Sequence, residues 1–300
     1  MASVQSVKPE TEPAVPERRG LKKGLYLIPS AFTAANILMG FIAIMASLRG
    51  FQLVGVGTAE AFARAAAQFD NAAIAIGVAM FFDMLDGRIA RMTKTTTEIG
   101  VQFDSIADVL TFGIAPALLV YTWSYGSALP EGSPLHKLGW FLSFMYLMCG
   151  AFRLARFNVQ AARPRLIAEG TIKLDKKSFV GLPIPLAAGM LAAVIHFAPT
   201  PFIQYGKQKA ELYSTLVMAM TACLGTLMVS TLRYSSFKAV GTTRRSTRMM
   251  ILFIAAFGVL VWLFSRYILL ASVTLYVLHG LVFRLFSFIR RRPEAKKSSL

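Results

Sequence analysis

NAAIAIGVAMFFDMLDGRIARMTKTTTEIGVQFDSIADVLTFGIAPALLVYTW, residues 71–123, reads as two long apolar runs joined by the short polar link Met92–Ile99. Each run exceeds the ~18 residues that mark a membrane-spanning helix. Within them stand Asp83, Asp86, Asp104 and Asp108. A carboxylate at the centre of a membrane helix costs ~2.5–3.5 kcal/mol on insertion scales, so these acids ask for a reason.

Their spacing supplies one. Asp83, Asp86, Gly87, Ala90 and Arg91 stand at i, i+3, i+4, i+7 and i+8 and share one helix face. Gly100, Asp104 and Asp108, at i, i+4 and i+8, share another. The short link makes the two helices antiparallel neighbours, so that the four carboxylates converge. Unpaired, they would repel one another. Divalent cations resolve the repulsion, and an all-oxygen ligand set without His or Cys suits Mg2+ or Mn2+. Gly87 and Gly100 leave room for a phosphate to approach, and Arg91 offers a cationic fork for its oxygens. The pattern predicts a two-metal phosphoryl-transfer site at a membrane surface. Interhelical salt bridges to Arg88 and Arg91 are one other reading, but two arginines cannot neutralise four carboxylates. A cation or proton pathway of a transporter is another; it explains the acids but not the glycines and the arginine.

Outward from this stretch, the 300-residue chain is 55% hydrophobic and 16% charged, against about 25% charged in ordinary soluble domains. Eight apolar spans are expected, near 26–48, 71–91, 99–123, 138–157, 180–198, 211–232, 249–265 and 267–286. The last two, parted by little more than Ser265 and Arg266, form either a tight hairpin or one kinked or re-entrant segment. The expected fold is an all-α integral membrane protein: a bundle of about eight transmembrane helices with a cytoplasm-facing polar cavity. The net charge of +17 raises the possibility of nucleic acid. However, 26 of the 32 Lys and Arg residues fall in the tails and loops of one side. This is the positive-inside pattern, which puts both termini and the loops after even-numbered spans in the cytoplasm. No nucleic-acid partner is expected, and membrane lipid is. Residues 1–24 read as a disordered cytoplasmic tail, 25–240 as the membrane domain of about six helices, 241–288 as two further helices and 289–300 as a basic cytoplasmic tail. The first apolar run reads as an uncleaved span. Segment 163–178 reads as a surface helix or loop. Cys149 and Cys223 read as small hydrophobes and not a disulfide, and His136, His196 and His279 show no metal-ligand spacing.

The stretch from Asp83 to Arg91, continued after eight residues by Gly100 to Asp108, resembles the signature of the CDP-alcohol phosphotransferase family. The four aspartates, both glycines, Ala90 and Arg91 fill its positions. The resemblance implies that Asp83, Asp86 and Asp104 ligate metal, as a pair of ions, and that Asp108 both ligates metal and acts as general base on the acceptor hydroxyl. It also makes Thr97 a phosphate contact, and Thr33 and Asn36 contacts at the cytidine end. A homodimer in a bacterial cytoplasmic membrane, with its active site facing the cytoplasm, is implied as well.

Three further stretches, Leu110–Ala117, Phe152–Asn158 and Phe179–Pro185, resemble the branch of the family whose acceptor is L-serine. CDP-diacylglycerol and L-serine are then the substrates, and CMP is released. The alternatives are the same chemistry on glycerol phosphate or inositol phosphate, and a cation-coupled transporter. Arg153 and Arg156, at i and i+3 near the cytoplasmic end of the fourth span, are either snorkelling anchors or the bidentate partner of the serine carboxylate.

Overall fold

A computed structural model describes residues 19–93, 98–162, 178–235 and 244–290. The chain there is all-helical apart from one short two-stranded ladder. Its helices are α1 (Arg19–Val56), α2 (Ala59–Thr93), α3 (Glu98–Asp108), α4 (Ala115–Trp123), α5 (Tyr125–Ala128), α6 (Pro134–Ala162), α7 (Ile184–Phe197), α8 (Lys207–Val229) and α9 (Arg244–Arg290). The strands β1 (Ser178–Val180) and β2 (Arg233–Ser235) pair antiparallel, with Phe179 opposite Tyr234.

Among the described residues, five helical stretches are long and apolar enough to cross a membrane: Ala31–Val56, Ile99–Ala128, Pro134–Val159, Lys207–Val229 and Ala255–Gly280. Three differences from the eight expected spans have local causes. α2 carries Glu60, Arg64, Asp70, Asp83, Asp86 and Arg88, which dilute its apolar character. The fifth expected span starts at residue 180, but 178–180 is strand and α7 begins only at Ile184, with 14 residues. Gly181 lies between them at φ +84°, where a Cβ would collide with the Met228 carbonyl oxygen, and Pro183 then caps the helix. The seventh and eighth expected spans form a single helical run that breaks at Phe264 (φ −135°, ψ 44°), one residue before the expected junction. Segment 163–177 lies outside the described residues.

α1 and α2 form an antiparallel pair whose contact is built from small residues. Ala43, Ala46, Ala65, Ala72, Ala73 and Ala79 are buried, and a Cβ on Gly50 would come within 2.7 Å of the Phe69 ring. Small side chains let helix backbones approach closely where lipid offers no hydrophobic drive for association. Thr58 starts α2 by accepting a hydrogen bond from the Ala61 amide at 3.2 Å. Large apolar side chains such as Leu38, Phe41, Trp140, Phe152 and Leu216 point outward, as expected of lipid-facing surfaces. Cys149 is half-buried, Cys223 is exposed, and neither is in a disulfide.

After Asp108 the chain winds into a wider π turn, Val109–Ile114, before α4. Such turns insert a residue into a helix and reset the faces of the helix beyond them. Here the turn packs against α1 at Gly40, where a Cβ would lie 2.5 Å from Thr111 Oγ1. Thr111 donates to the Asn36 carbonyl at 3.2 Å, and the Tyr146 hydroxyl of α6 donates to the Phe112 carbonyl at 3.1 Å. The turn is thus fixed from two sides, immediately behind the last acid.

Candidate active site

The acids of α2 and α3 converge. Both helices pack against α1, as does the π turn. One carboxylate oxygen from each of Asp83, Asp104 and Asp108 lies within 4.8 Å of the others. Asp83 and Asp104 are half-buried; Asp108 is 9% exposed, and its Oδ1 is buried without a hydrogen-bond partner. Asp86 is buried outside this trio, accepts a hydrogen bond from the Thr33 hydroxyl of α1 and interacts electrostatically with Asp104.

This donor set fits a hard divalent cation. Oxygens sharing an octahedral ion at ~2.1 Å stand about 3–4 Å apart, close to the observed grouping. A buried carboxylate oxygen with no donor is costly, and three like charges at one point are more so. A cation accounts for both.

The remaining expected residues separate into groups. Asn36, one turn along α1 from Thr33, is 1% exposed, and both polar atoms of its amide are buried without a partner. It is thus a second polar group awaiting something that enters. Gly87 is half-buried and Gly100 exposed. The side chains of Ala90 and Arg91, and all of Thr97, lie outside the described residues.

Arg153 and Arg156, indistinguishable by position in the sequence, diverge in the fold. Arg153 is 9% exposed, interacts electrostatically with Asp108 and has a buried Nε without a hydrogen-bond partner. Arg156 donates from Nη1 to the Val229 carbonyl at 3.0 Å, closing the end of α8. Asn158, in the same motif, donates to Ser105 Oγ at 2.8 Å, and Ser105 donates to the Val101 carbonyl. The amide thereby ties α6 to α3 next to Asp104, a role for which sequence offers only its place in the motif.

A second polar cluster lies away from the acids. His196 at the end of α7 shares a 2.5 Å hydrogen bond with Asp70 Oδ1 through Nδ1 and a 2.9 Å one with Ser265 Oγ through Nε2. Arg266 approaches Asp70 Oδ2 at 3.6 Å. The scattered placement of the histidines in sequence concealed this pairing.

A membrane bundle with an acidic trio built on the first helices defines a class of protein. The model of the CDP-alcohol phosphatidyltransferase family matches residues 26–228, and the chain belongs to that family. Among its relatives is the CDP-diacylglycerol–serine O-phosphatidyltransferase of Helicobacter pylori, 31% identical over 276 residues, covering 92% of this chain and 98% of the relative. Proteins of the same name from Bacillus subtilis and Methanocaldococcus jannaschii are 27% identical over 70% of the chain and 33% over 54%, with 91% and 62% of their own lengths covered.

Proposed function

We propose that the chain transfers the phosphatidyl group of CDP-diacylglycerol to the hydroxyl of L-serine, releasing CMP, at the cytoplasmic face of a bacterial inner membrane. The observation that carries the chemistry is the convergence of Asp83, Asp104 and Asp108 within 4.8 Å, with a buried, unpartnered oxygen on Asp108. The choice of serine is supported by the relatives' shared name, over nearly the whole length in the Helicobacter case.

Asp83, Asp86, Asp104 and Asp108 would hold two ions, Mg2+ or Mn2+. When bound, such ions neutralise pyrophosphate oxygens and the charge that develops in the transition state. Thr33 orients Asp86 by its hydrogen bond. Asn36 and Thr33 flank the cytidine end, Arg91 and Thr97 contact phosphate, and Gly87, Ala90 and Gly100 keep the approach clear. Asp108 accepts the proton of the serine hydroxyl as the serine oxygen bonds to the phosphorus carrying diacylglycerol. The bond from that phosphorus to the bridging oxygen breaks, and CMP leaves with the electron pair. Arg153 offers its guanidinium to the serine carboxylate; a buried cation beside Asp108 suits a zwitterion that must sit among anions. Arg156 supports the pocket wall through α8. Eight membrane crossings, with α2, α7 and both halves of α9 among them, a polar cavity open to the cytoplasm and a homodimer complete the reading.

The test is to incubate purified protein with CDP-diacylglycerol, Mg2+ or Mn2+, and serine, glycerol phosphate or inositol phosphate in turn, and to measure CMP. Release with serine and not with the phosphorylated alcohols is expected. Release with a phosphorylated alcohol alone overturns the choice of acceptor, and cation flux without CMP release identifies a transporter.

A further inference from the structure

α9 lies beyond the region matched by the family model, and its second half is nonetheless built into the catalytic bundle. At one end it is held by the Ser265–His196 and Arg266–Asp70 contacts. Further along, Thr274 donates to Met190 Sδ of α7 at 3.7 Å, Val277 is buried in the core, and Val273 and Tyr276 pack against that core. These contacts set its depth. Ser265 and Asp70 both bind His196, so α9 and α2 start level there. From that level, 11 residues along α9 reach Tyr276, an advance of about 16 Å at 1.5 Å per residue. Along α2, 13 residues reach Asp83, about 20 Å. Tyr276 therefore arrives at the depth of the acids. There it interacts electrostatically with Arg153, which in turn interacts with Asp108.

We infer that Tyr276 is a positioning residue for the acceptor: its phenol oxygen orients the Arg153 guanidinium, so that α9 forms part of the serine pocket. The inference rests on the proposed role of Arg153 as partner of the serine carboxylate. A buried guanidinium with an unpartnered Nε has rotational freedom unless a neighbour fixes its plane, and a fork that binds a carboxylate through two parallel bonds requires that plane to be set. A phenol oxygen can accept from a guanidinium N–H without neutralising its charge, leaving the charge available to an incoming carboxylate.

The experiment is steady-state kinetics of Tyr276→Phe, Arg153→Gln and the double variant in the full-length protein with Mn2+, titrating serine at saturating CDP-diacylglycerol and the reverse. Tyr276→Phe keeps the ring that packs against the core. Its serine KM is expected to rise about three- to tenfold, with kcat and the KM for CDP-diacylglycerol within about twofold of the parent. The double variant is expected to match Arg153→Gln alone, because an orienting group has nothing left to orient. An unchanged serine KM in Tyr276→Phe overturns the inference, as does a double variant whose effects multiply, since Tyr276 would then act without Arg153. A rise in the lipid KM alone also overturns it, assigning Tyr276 to the other substrate. If the parent protein releases no CMP with serine, the proposed function itself fails, before any variant is compared.

Discussion

α2 carries a polar cluster at each end of its central stretch, and the two are chemically opposite. Around Asp70 the groups are complementary: a carboxylate, an imidazole that bridges it to a hydroxyl, and a guanidinium at 3.6 Å. Around Asp83, thirteen residues on, like charges dominate: three carboxylates lie within 4.8 Å, and Asp108, although it interacts with Arg153, keeps a buried oxygen that nothing satisfies. The first cluster satisfies itself and joins three helices. The second is incomplete as protein alone, and that incompleteness marks it as the place where something else binds. Burial of polar groups in a membrane protein does not by itself distinguish structure from function; the balance of charge within the cluster does.

The strongest way to break this contrast is to treat the carboxylate trio as if it were structural. Asp83→Asn and Asp104→Asn each remove one charge at nearly constant volume, and so ease the repulsion in the unligated protein. If the trio served stability, either variant would be neutral or beneficial and activity would survive. We expect instead that both still insert and purify but lose at least about a thousandfold in CMP release, about 4 kcal/mol of transition-state stabilisation. Mn2+ binding, monitored by electron paramagnetic resonance, should weaken in parallel, and a chelator should reproduce the loss in the parent protein until metal is restored.

Within the trio, Asp108 sharpens the comparison further. It is the most buried of the three, immediately precedes the π turn and interacts with Arg153. As the base for the acceptor, it is needed at one step only, and general-base catalysis contributes typically 10²–10⁴-fold. Asp108→Asn should therefore slow transfer to serine by at least about a hundredfold, while the affinity for CDP-diacylglycerol changes far less. Near-normal turnover in a variant that still binds metal would remove Asp108 from the base role.

The two clusters also differ in how far sequence reveals them. Asp83, Asp86, Asp104 and Asp108 stand within 26 residues of an apolar stretch, where each acid is conspicuous because of what it costs there. Their convergence is legible in helical spacing, although the packing of α2, α3 and the π turn against α1 is not. The other cluster joins residues 126 and 69 positions apart, and no local pattern announces it: a lone Asp, a lone His and a Ser–Arg pair each look ordinary. Tertiary placement likewise separates Arg153 from Arg156. Three residues apart on one helix, they differ only in what the folded chain brings to them, a carboxylate in one case and the end of α8 in the other. The π turn after Asp108 and the short ladder of β1 with β2 leave no periodic signature either, since each involves only a few residues and depends on neighbours from α1, α6 or the far strand.

The smallest effect is expected at the self-satisfied cluster, and it should appear in stability more than in turnover. Replacing His196 by Gln leaves a side chain that still carries a donor and an acceptor, but not at the span needed to reach Asp70 and Ser265 together. One of these partners then stays unsatisfied. A buried polar group left unpaired costs about 1–3 kcal/mol, whereas individual interhelical hydrogen bonds within membranes average only about 0.6 kcal/mol in double-mutant cycles. The expected loss is thus about 1 kcal/mol, read as a lower thermal unfolding midpoint in detergent. Turnover should stay within about twofold, because Val273, Val277 and Thr274 continue to hold α9 against α7. The double variant Asp70→Asn/His196→Gln should cost less than the two single losses combined, as expected for partners in one network. A hundredfold loss of activity from His196→Gln with an unchanged midpoint would reverse the comparison, giving the complementary cluster the chemistry that its balance of charge denies it.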